Sequence, residues 1–323
     1  MELPTISSSE LSEDSLRRVF DKFSGFYISI PDEIWNERLK IEQAMNLFES
    51  REDKERFCLN KLEGVNPSFF GGYVFSGTEN TAAALSSAHN DPTKKLRKDM
   101  ASKFTPQTLS DMFSNKTDED RFFNENEGIA KDYEELCNTF EVFREFITEL
   151  SLKLSKIVSD IYSDELNGVE LKCSFLLRYL NYGEASTDDD SDNIRMGAHA
   201  DVSLMTIISE IGCPNGFHSL QLKFGDKWIS VPPKKKAILV QFGEILRYIS
   251  KGQINSMLHR VIMPPTNLNQ GSNRSSLIMF IIPSDDVKFY TLDGAFPQIH
   301  KALQSKLVTY KDLIAEVYSS YKY

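Results

Sequence analysis

The sequence predicts a mainly β protein with flanking α-helices, in which a β-sandwich or jelly roll carries helices on its outside. Helical apolar spacing dominates the first half of the chain. From about Cys173 it gives way to short apolar runs broken by Gly, Pro and Asn: SFLLRYL, SLMTIIS, SLQLKF, KWISVP, AILVQF, LHRVIM and SSLIMFII. Regular short strands after helical segments favour packed sheets with external helices.

We expect one unit over residues 1–323, because no internal repeat or low-complexity linker divides the chain. Its parts would be a mainly helical N-terminal region (1–165), a jelly-roll core (166–290) and a C-terminal helical segment (291–323). A length of 323 residues also permits two domains, but β-rich cores with helical additions often reach this size as one unit.

The sequence of the N-terminal region predicts both strands and helices. LPTI and GFYISI read as strands, and the helix between them would be capped by the serines at 7–9. A long helix should run from Pro31 to about Leu62, with ESREDKERF as its solvated face. A second should run from about Ile129 to Tyr162. Its aromatic stripe is typical of a core rather than a cofactor site.

Composition limits the classes of partner and location. The chain has 37 Lys plus Arg against 47 Asp plus Glu, a net charge of −10, so we do not expect it to bind nucleic acid. No apolar run is long enough to cross a bilayer, and no basic, apolar leader opens the sequence. Its four cysteines, Cys58, Cys137, Cys173 and Cys213, have no close spacing. We therefore expect a soluble, cytoplasmic protein with reduced thiols and no membrane partner.

Three residues have the types and spacing of an iron site. His199 and Asp201 are two apart in the strand-like run RMGAHADVSLMTIIS, so they point to one face. His259 lies 60 residues later, at the start of another apolar run that could return beside them. Two histidines and a carboxylate form the facial triad of non-haem Fe(II) oxygenases. The alternative for a His-x-Asp pair alone is a surface strand with a hydrogen-bonded histidine.

A second pattern predicts an anion site. In RSSLIMFIIP, alternation places Arg274 and Ser276 on one face with Ile278 and Phe280. A cation beside apolar groups needs an anionic partner, and a carboxylate suits the guanidinium fork. If Arg274 is considered alone, an Asp or Glu of the same chain is the favoured partner.

Together these segments resemble the isopenicillin N synthase-like family of Fe(II)/2-oxoglutarate-dependent oxygenases. The resemblance rests on HADVSLMTII, the stretch from SLQLKF to LHRVIMPP, RSSLIMFIIP and the preceding FLLRYLNYG, and it covers almost the whole chain. It implies a double-stranded β-helix (jelly roll) core. It also implies that His199, Asp201 and His259 bind Fe(II), and that Arg274, Ser276 and Tyr182 hold the distal carboxylate of 2-oxoglutarate.

Three features depart from the family pattern. Gly183 stands where proline usually follows the tyrosine, which makes the position of Tyr182 less certain than that of Arg274. Glu244 in QFGEIL replaces a more usual aspartate, a change that should be mild on a loop. The acidic insert TDDDSDN at 187–193 matches no family element. We interpret it as a solvated loop that could gate the site.

The resemblance implies a dioxygenase that uses Fe(II), 2-oxoglutarate and O2 to oxidise an unactivated C–H bond of a small molecule, as in specialised biosynthesis. Hydroxylation, desaturation and ring closure all occur in the family. A further likeness is to kainoid-type oxidative cyclases, which act on amino-acid-derived dicarboxylates. The alternatives are an Fe(II) oxidase of the same fold that does not use 2-oxoglutarate, or a non-catalytic ligand-binding jelly roll.

Four residues are candidate substrate contacts. Phe70 and Tyr73 belong to a turn-rich segment that lies near the mouth of the active site in the family. Arg195 could meet a substrate anion, with a surface salt bridge as its alternative, and Phe280 shares the face of Arg274. Ordinary packing is the alternative for Phe70 and Tyr73. The sequence does not indicate the oligomeric state or a catalytic residue beyond the metal site.

Overall fold

A computed structural model describes residues 2–58, 72–74, 102–107, 112, 116–182, 194–212, 215–268, 273–292 and 306–319. Its helices are α1 (Glu13–Phe20), α2 (Asp32–Glu49), α3 (Lys116–Glu125), α4 (Glu127–Asn138), α5 (Glu141–Ile161), α6 (Glu244–Ile249) and α7 (Tyr310–Ser319). Its strands are β1 (Thr5–Ser7), β2 (Gly25–Ser29), β3 (Gly72–Val74), β4 (Ser102–Thr105), β5 (Cys173–Tyr182), β6 (Ile194–His199), β7 (Met205–Gly212), β8 (Leu220–Phe224), β9 (Lys227–Ser230), β10 (Ala237–Phe242), β11 (His259–Ile262), β12 (Arg274–Pro283), β13 (Lys288–Tyr290) and β14 (Leu307–Thr309).

Two sheets form the core, as the sequence predicts. The larger has eight strands in the order β1-β2-β10-β7-β12-β5-β4-β3, and the smaller has four in the order β6-β11-β8-β9. Every pairing in both sheets is antiparallel except that of β1 with β2. Because β1 and β2 join the large sheet through β10, the N-terminal region contributes strands to the core as well as helices.

Side-chain alternation divides the apolar residues into two layers. Leu277, Met279 and Ile281 of β12 face the helices and belong to a large outer core. The barrel interior lies between the two sheets, where Leu222 and Val261 of the small sheet belong to the same cluster as residues of the large one. Strands buried on both faces are expected where helices cover one side of a sheet sandwich.

Local chemistry moves several helix boundaries from their predicted places. Helix α1 is capped by Ser12, not by the serines at 7–9, because Ser12 and Ser15 exchange side-chain and backbone hydrogen bonds in a capping box. Helix α2 ends at Glu49 rather than near Leu62. The chain turns there as Ser50 Oγ donates to the carbonyl of Leu47 at 2.7 Å.

The second predicted long helix is two helices. The break falls at Thr139 and Phe140, where Thr139 Oγ1 donates to the carbonyl of Leu136 at 2.7 Å. Phe140 is buried beside Phe104, with ring centroids 5.6 Å apart. The aromatic stripe is core, as expected: Phe143 and Ile147 are fully buried within it.

In the described part of the C-terminal segment, a strand precedes the helix. Residues Leu307–Thr309 pair with β13, which precedes them in the chain, and only then does α7 start. The Tyr310 hydroxyl donates to the carbonyl of Val202 at 3.1 Å, so this segment packs back against the loop that follows His199. Within the described ranges, no helix has the length and apolarity to cross a membrane. Cys137 and Cys173 are free thiols, Cys58 is buried, and Cys213 lies outside these ranges.

Candidate metal centre and carboxylate pocket

The structure brings the three predicted metal ligands together. His199 ends β6 and His259 begins β11, and the two residues are direct partners in the sheet with ring centroids 4.2 Å apart. Asp201 Oδ1 lies 3.5 Å from Nε2 of His199 and 3.9 Å from Nε2 of His259. One ligand atom from each residue falls within 4.8 Å of the others. Both histidines are buried.

Neighbouring groups aim each ligand at the centre. Nδ1 of His199 lies 2.8 Å from the carbonyl of Gly197, and Nδ1 of His259 lies 3.1 Å from the carbonyl of Met257. With Nδ1 donating, the free pair on Nε2 faces Asp201. Thr206 Oγ1 donates to Oδ2 of Asp201 at 2.6 Å, which leaves Oδ1 turned toward the imidazoles. Two imidazoles and one carboxylate fit Fe(II) as a facial triad with open positions.

The start of α6 holds the loop that carries Asp201. The amides of Gly243, Glu244 and Ile245 donate to the carbonyls of Leu204, Asp201 and Ser203 at 3.1, 2.8 and 3.1 Å. A Cβ at Gly243 would lie 2.0 Å from the Ser203 carbonyl oxygen, so only glycine allows this approach.

Glu244 lies in a helix and not on a loop, contrary to expectation. It is the first residue of α6 and its side chain is 1% exposed. Its carboxylate accepts a hydrogen bond from Ser256 Oγ, three residues before His259. Burial raises the pKa of this carboxyl group.

Charges within the triad couple its protonation. Burial lowers the pKa of His199, but the hydrogen bond and charge of Asp201 outweigh it, so the net pKa is raised. Burial and the charge of His199 lower the pKa of His259 to about 4. Burial raises the pKa of Asp201, but the two imidazoles and Thr206 lower it well below its ordinary range. In the metal-free triad these shifts favour an ionised Asp201 and favour a proton on His199 over one on His259, and a metal ion would compete with that proton.

Arg274, Ser276 and Tyr182 lie close together inside the barrel. Arg274 is the direct partner of Tyr182 across β12 and β5, and its guanidinium carbon lies 5.6 Å from the centre of the tyrosine ring. All three are buried. Ser276 Oγ has no hydrogen-bond partner among the described residues, so a buried donor is available to a ligand oxygen. Burial raises the pKa of Tyr182, which keeps its hydroxyl protonated.

One family model matches residues 172–283, the stretch that holds both sites, and it describes the 2OG-Fe(II) oxygenase superfamily. Residues 172–283 are thus similar to the domain that this model describes. This confirms the family predicted from the sequence. The family and the His–Asp–His triad also support the predicted set of Fe(II), 2-oxoglutarate and O2.

Curated relatives match only part of this chain. Deacetoxycephalosporin C synthase of Amycolatopsis lactamdurans is 32% identical over 121 residues, which is 37% of this chain and 38% of the relative. The alpha-ketoglutarate dependent kainoid synthase of Pseudo-nitzschia multiseries is 32% identical over 149 residues, 46% of this chain and 40% of the relative. The matches thus span about two fifths of these relatives.

Solved structures are similar over almost the full length. The rice dioxygenase for auxin oxidation has a TM-score of 0.63 at 16% identity, with 99% of this chain and 96% of that one covered. A full-length Neurospora crassa protein, solved in complex with alpha-KG, has a TM-score of 0.61 at 15% identity, with coverage of 99% and 96%. At these identities the likeness shows the fold, and it confirms the predicted jelly roll.

The structure places two of the four predicted substrate contacts. Arg195 is buried rather than exposed at the surface, and its charge acts to lower the pKa of Tyr182. Phe280 lies half-buried on the face of Arg274 and is the cross-strand partner of Thr206. Phe70 lies outside the described residues, and of Tyr73 only its place in β3 is described. The insert at 187–193 also lies outside them.

The sequence did not indicate three polar residues of the barrel interior. Thr206 orients Asp201, Glu210 contacts Arg274, and Gln241 is the cross-strand partner of Thr206. Gln241 is 1% exposed, and neither atom of its amide has a partner among the described residues. All three alternate with apolar residues of the outer core, and that alternation was the available signal.

Proposed function

We propose that this chain is an Fe(II)/2-oxoglutarate-dependent dioxygenase that oxidises an unactivated C–H bond of a small molecule. The observation that carries the proposal is one barrel interior that holds a His–Asp–His triad together with a buried Arg274, Ser276 and Tyr182. A metal-free binding jelly roll has no need for both sets.

Each group has a definable task. His199, Asp201 and His259 would hold Fe(II) on one face. Arg274 and the unpartnered hydroxyl of Ser276 would bind the distal carboxylate of 2-oxoglutarate, and the Tyr182 ring packs against the guanidinium. Bound Fe(II), 2-oxoglutarate and O2 would supply the oxidising power, with succinate and CO2 as products.

The reaction balances in either of two ways. In hydroxylation, R–H, 2-oxoglutarate and O2 give R–OH, succinate and CO2. In desaturation or ring closure the substrate loses two hydrogen atoms, and water is the additional product. The position of the substrate carbon decides between them, and Phe280 and Arg195 are the described residues that we assign to that task. Phe70 and Tyr73 remain further candidates for it.

We propose an amino-acid-derived substrate with a carboxylate, as in a biosynthetic pathway. Two of the relatives are alpha-ketoglutarate dependent kainoid synthases, at 32% and 31% identity. The buried Arg195 offers a positive charge beside Tyr182, where a substrate anion would be stabilised.

The test is anaerobic addition of Fe(II) and 2-oxoglutarate, with the visible metal-to-ligand charge-transfer band of a chelated 2-oxo acid as readout. We expect the band in the wild type and its loss in His259→Ala and Arg274→Ala. The matched control is Arg260→Ala. Arg260 follows His259 on β11 but lies over the Trp228 ring, 4.3 Å from its centre, and bonds to Gln221. This variant should retain the band.

Succinate release in the presence of candidate amino acids then identifies substrates. A protein that binds Fe(II) without forming the band would contradict the proposal in favour of the oxidase that binds its substrate through Arg274. A protein that binds no Fe(II) would contradict both and leave the ligand-binding jelly roll.

A further inference from the structure

The carboxylate pocket already contains a carboxylate. Glu210 Oε1 accepts a hydrogen bond from Arg274 Nε at 3.0 Å, and the two side chains are 6% and 3% exposed. Glu210 is also the cross-strand partner of Ser276. It therefore contacts Arg274 and neighbours Ser276, the two residues that would bind the distal carboxylate of 2-oxoglutarate. Glu210 is an acidic partner of the same chain, the kind of partner that the sequence favours when Arg274 is considered alone.

A hydrogen bond from Arg38 holds the backbone of Glu210. Its backbone carbonyl accepts a hydrogen bond from Nη2 of Arg38 at 3.0 Å, and Arg38 is itself buried and paired with Glu42 at 2.5 Å. Arg38 belongs to α2, so a helix of the N-terminal region anchors the strand position of Glu210. This anchor holds the backbone of Glu210 at a place from which its side chain reaches Arg274.

A fixed carboxylate at this position has two opposite effects on an incoming one. Its hydrogen bond to Nε holds the plane of the guanidinium and so reduces the ordering cost of binding. Its negative charge neutralises Arg274 and repels a second carboxylate, an effect that is strong in a buried site.

We propose that Glu210 is the positioning and selectivity residue of this pocket: it orients Arg274 and limits the affinity for the distal carboxylate of a 2-oxo diacid. This inference rests on the proposed function. It assigns to Glu210 a task that neither the family pattern nor the metal triad requires.

Two substitutions separate the two effects. Glu210→Gln removes the charge but retains an acceptor for Nε, so the Kd for 2-oxoglutarate should fall about fivefold or more. Glu210→Ala removes both the charge and the hydrogen-bond acceptor for Nε. Its Kd should exceed that of Glu210→Gln by about tenfold, since these variants have equal charge and differ in the hydrogen bond.

Pyruvate is the matched ligand control. It chelates iron as a 2-oxo acid but has no distal carboxylate to reach Arg274. Its Kd should therefore be the same in all three proteins, as should the Kd for Fe(II), and both values also show that each variant is folded. Glu13→Gln is the control substitution, because Glu13 makes an exposed pair with Arg17 on α1.

The measurement is anaerobic titration of the Fe(II)-loaded protein with 2-oxoglutarate and with pyruvate, followed by the charge-transfer band and by calorimetry. Equal Kd values for 2-oxoglutarate in the wild type and both variants would overturn the inference alone, and so would equal changes for the two ligands. A wild type that binds Fe(II) and shows no band would instead overturn the proposed function, and this inference with it.

Discussion

Gly243 supports the metal centre through its lack of a side chain. The loop from Asp201 to Leu204 lies against the start of α6, held by three backbone hydrogen bonds. An added Cβ at Gly243 would lie 2.0 Å from the carbonyl oxygen and 2.7 Å from the carbonyl carbon of Ser203, distances that real Cβ atoms do not adopt. We therefore expect Gly243→Ala to push this loop away from α6.

The size of the effect follows from the geometry. The added Cβ must move from 2.0 Å to at least 3.0 Å from the Ser203 carbonyl oxygen, which requires a shift of about 1 Å. Metal–ligand distances tolerate only about 0.2 Å, so a shift of this size at Asp201 should raise the Kd for Fe(II) by about tenfold or more. Overpacking of this kind should also lower the free energy of unfolding by about 1–3 kcal/mol.

The assay is anaerobic Fe(II) titration by calorimetry, with urea denaturation of the metal-free protein. Gly128→Ala is the matched control, because no heavy atom of the described residues lies within 4 Å of its added Cβ, and Gly128 lies in α4. That variant should bind Fe(II) normally and gain about 0.5–1 kcal/mol of stability. Wild-type Fe(II) affinity and stability in Gly243→Ala would refute the steric argument.

Three further predictions concern the triad and the first helix. The pKa of His259 is lowered to about 4, so the unfolded protein binds more protons between pH 4 and 6.5, and the metal-free protein should gain stability as the pH rises through this range. The pKa of His199 is raised, so the folded protein binds more protons above pH 6.5 and should lose stability there as the pH rises. Urea midpoints between pH 4 and 9 measure this, and a profile identical to that of the His199→Ala/His259→Ala variant would contradict it. Thr206→Val removes the hydrogen bond to Asp201, so the Kd for Fe(II) should rise about 10–100-fold; an unchanged value in calorimetry would show that Thr206 does not orient the carboxylate. Ser12→Ala removes the cap of α1, so the free energy of unfolding should fall by about 1 kcal/mol in urea denaturation. The affinity for Fe(II) should stay unchanged. A loss of Fe(II) affinity would show that the effect is not confined to α1.

Helix boundaries depended on contacts that the sequence pattern does not display. The serines at 7–9 and Ser12 are equally good caps by type, but only Ser12 has Ser15 in reach to complete the exchange of hydrogen bonds. The break at Thr139 and Phe140 follows from a side-chain bond and from packing against Phe104, which lies 36 residues away in the chain. Long-range packing overrides helical periodicity at such places.

The sequence by itself predicted the His199 and Asp201 pair, the Arg274 and Ser276 face and a core of short strands, because each depends on residue type and on the two-residue period of a strand, which are local properties. Only the tertiary structure decided which side chains meet. Glu210 lies 64 residues from Arg274, Gly243 lies 40 residues from Ser203, and Arg195 is buried through contacts between sheets. The register of paired strands determines which side chains come into contact. Register depends on the burial of the whole sheet rather than on any one segment.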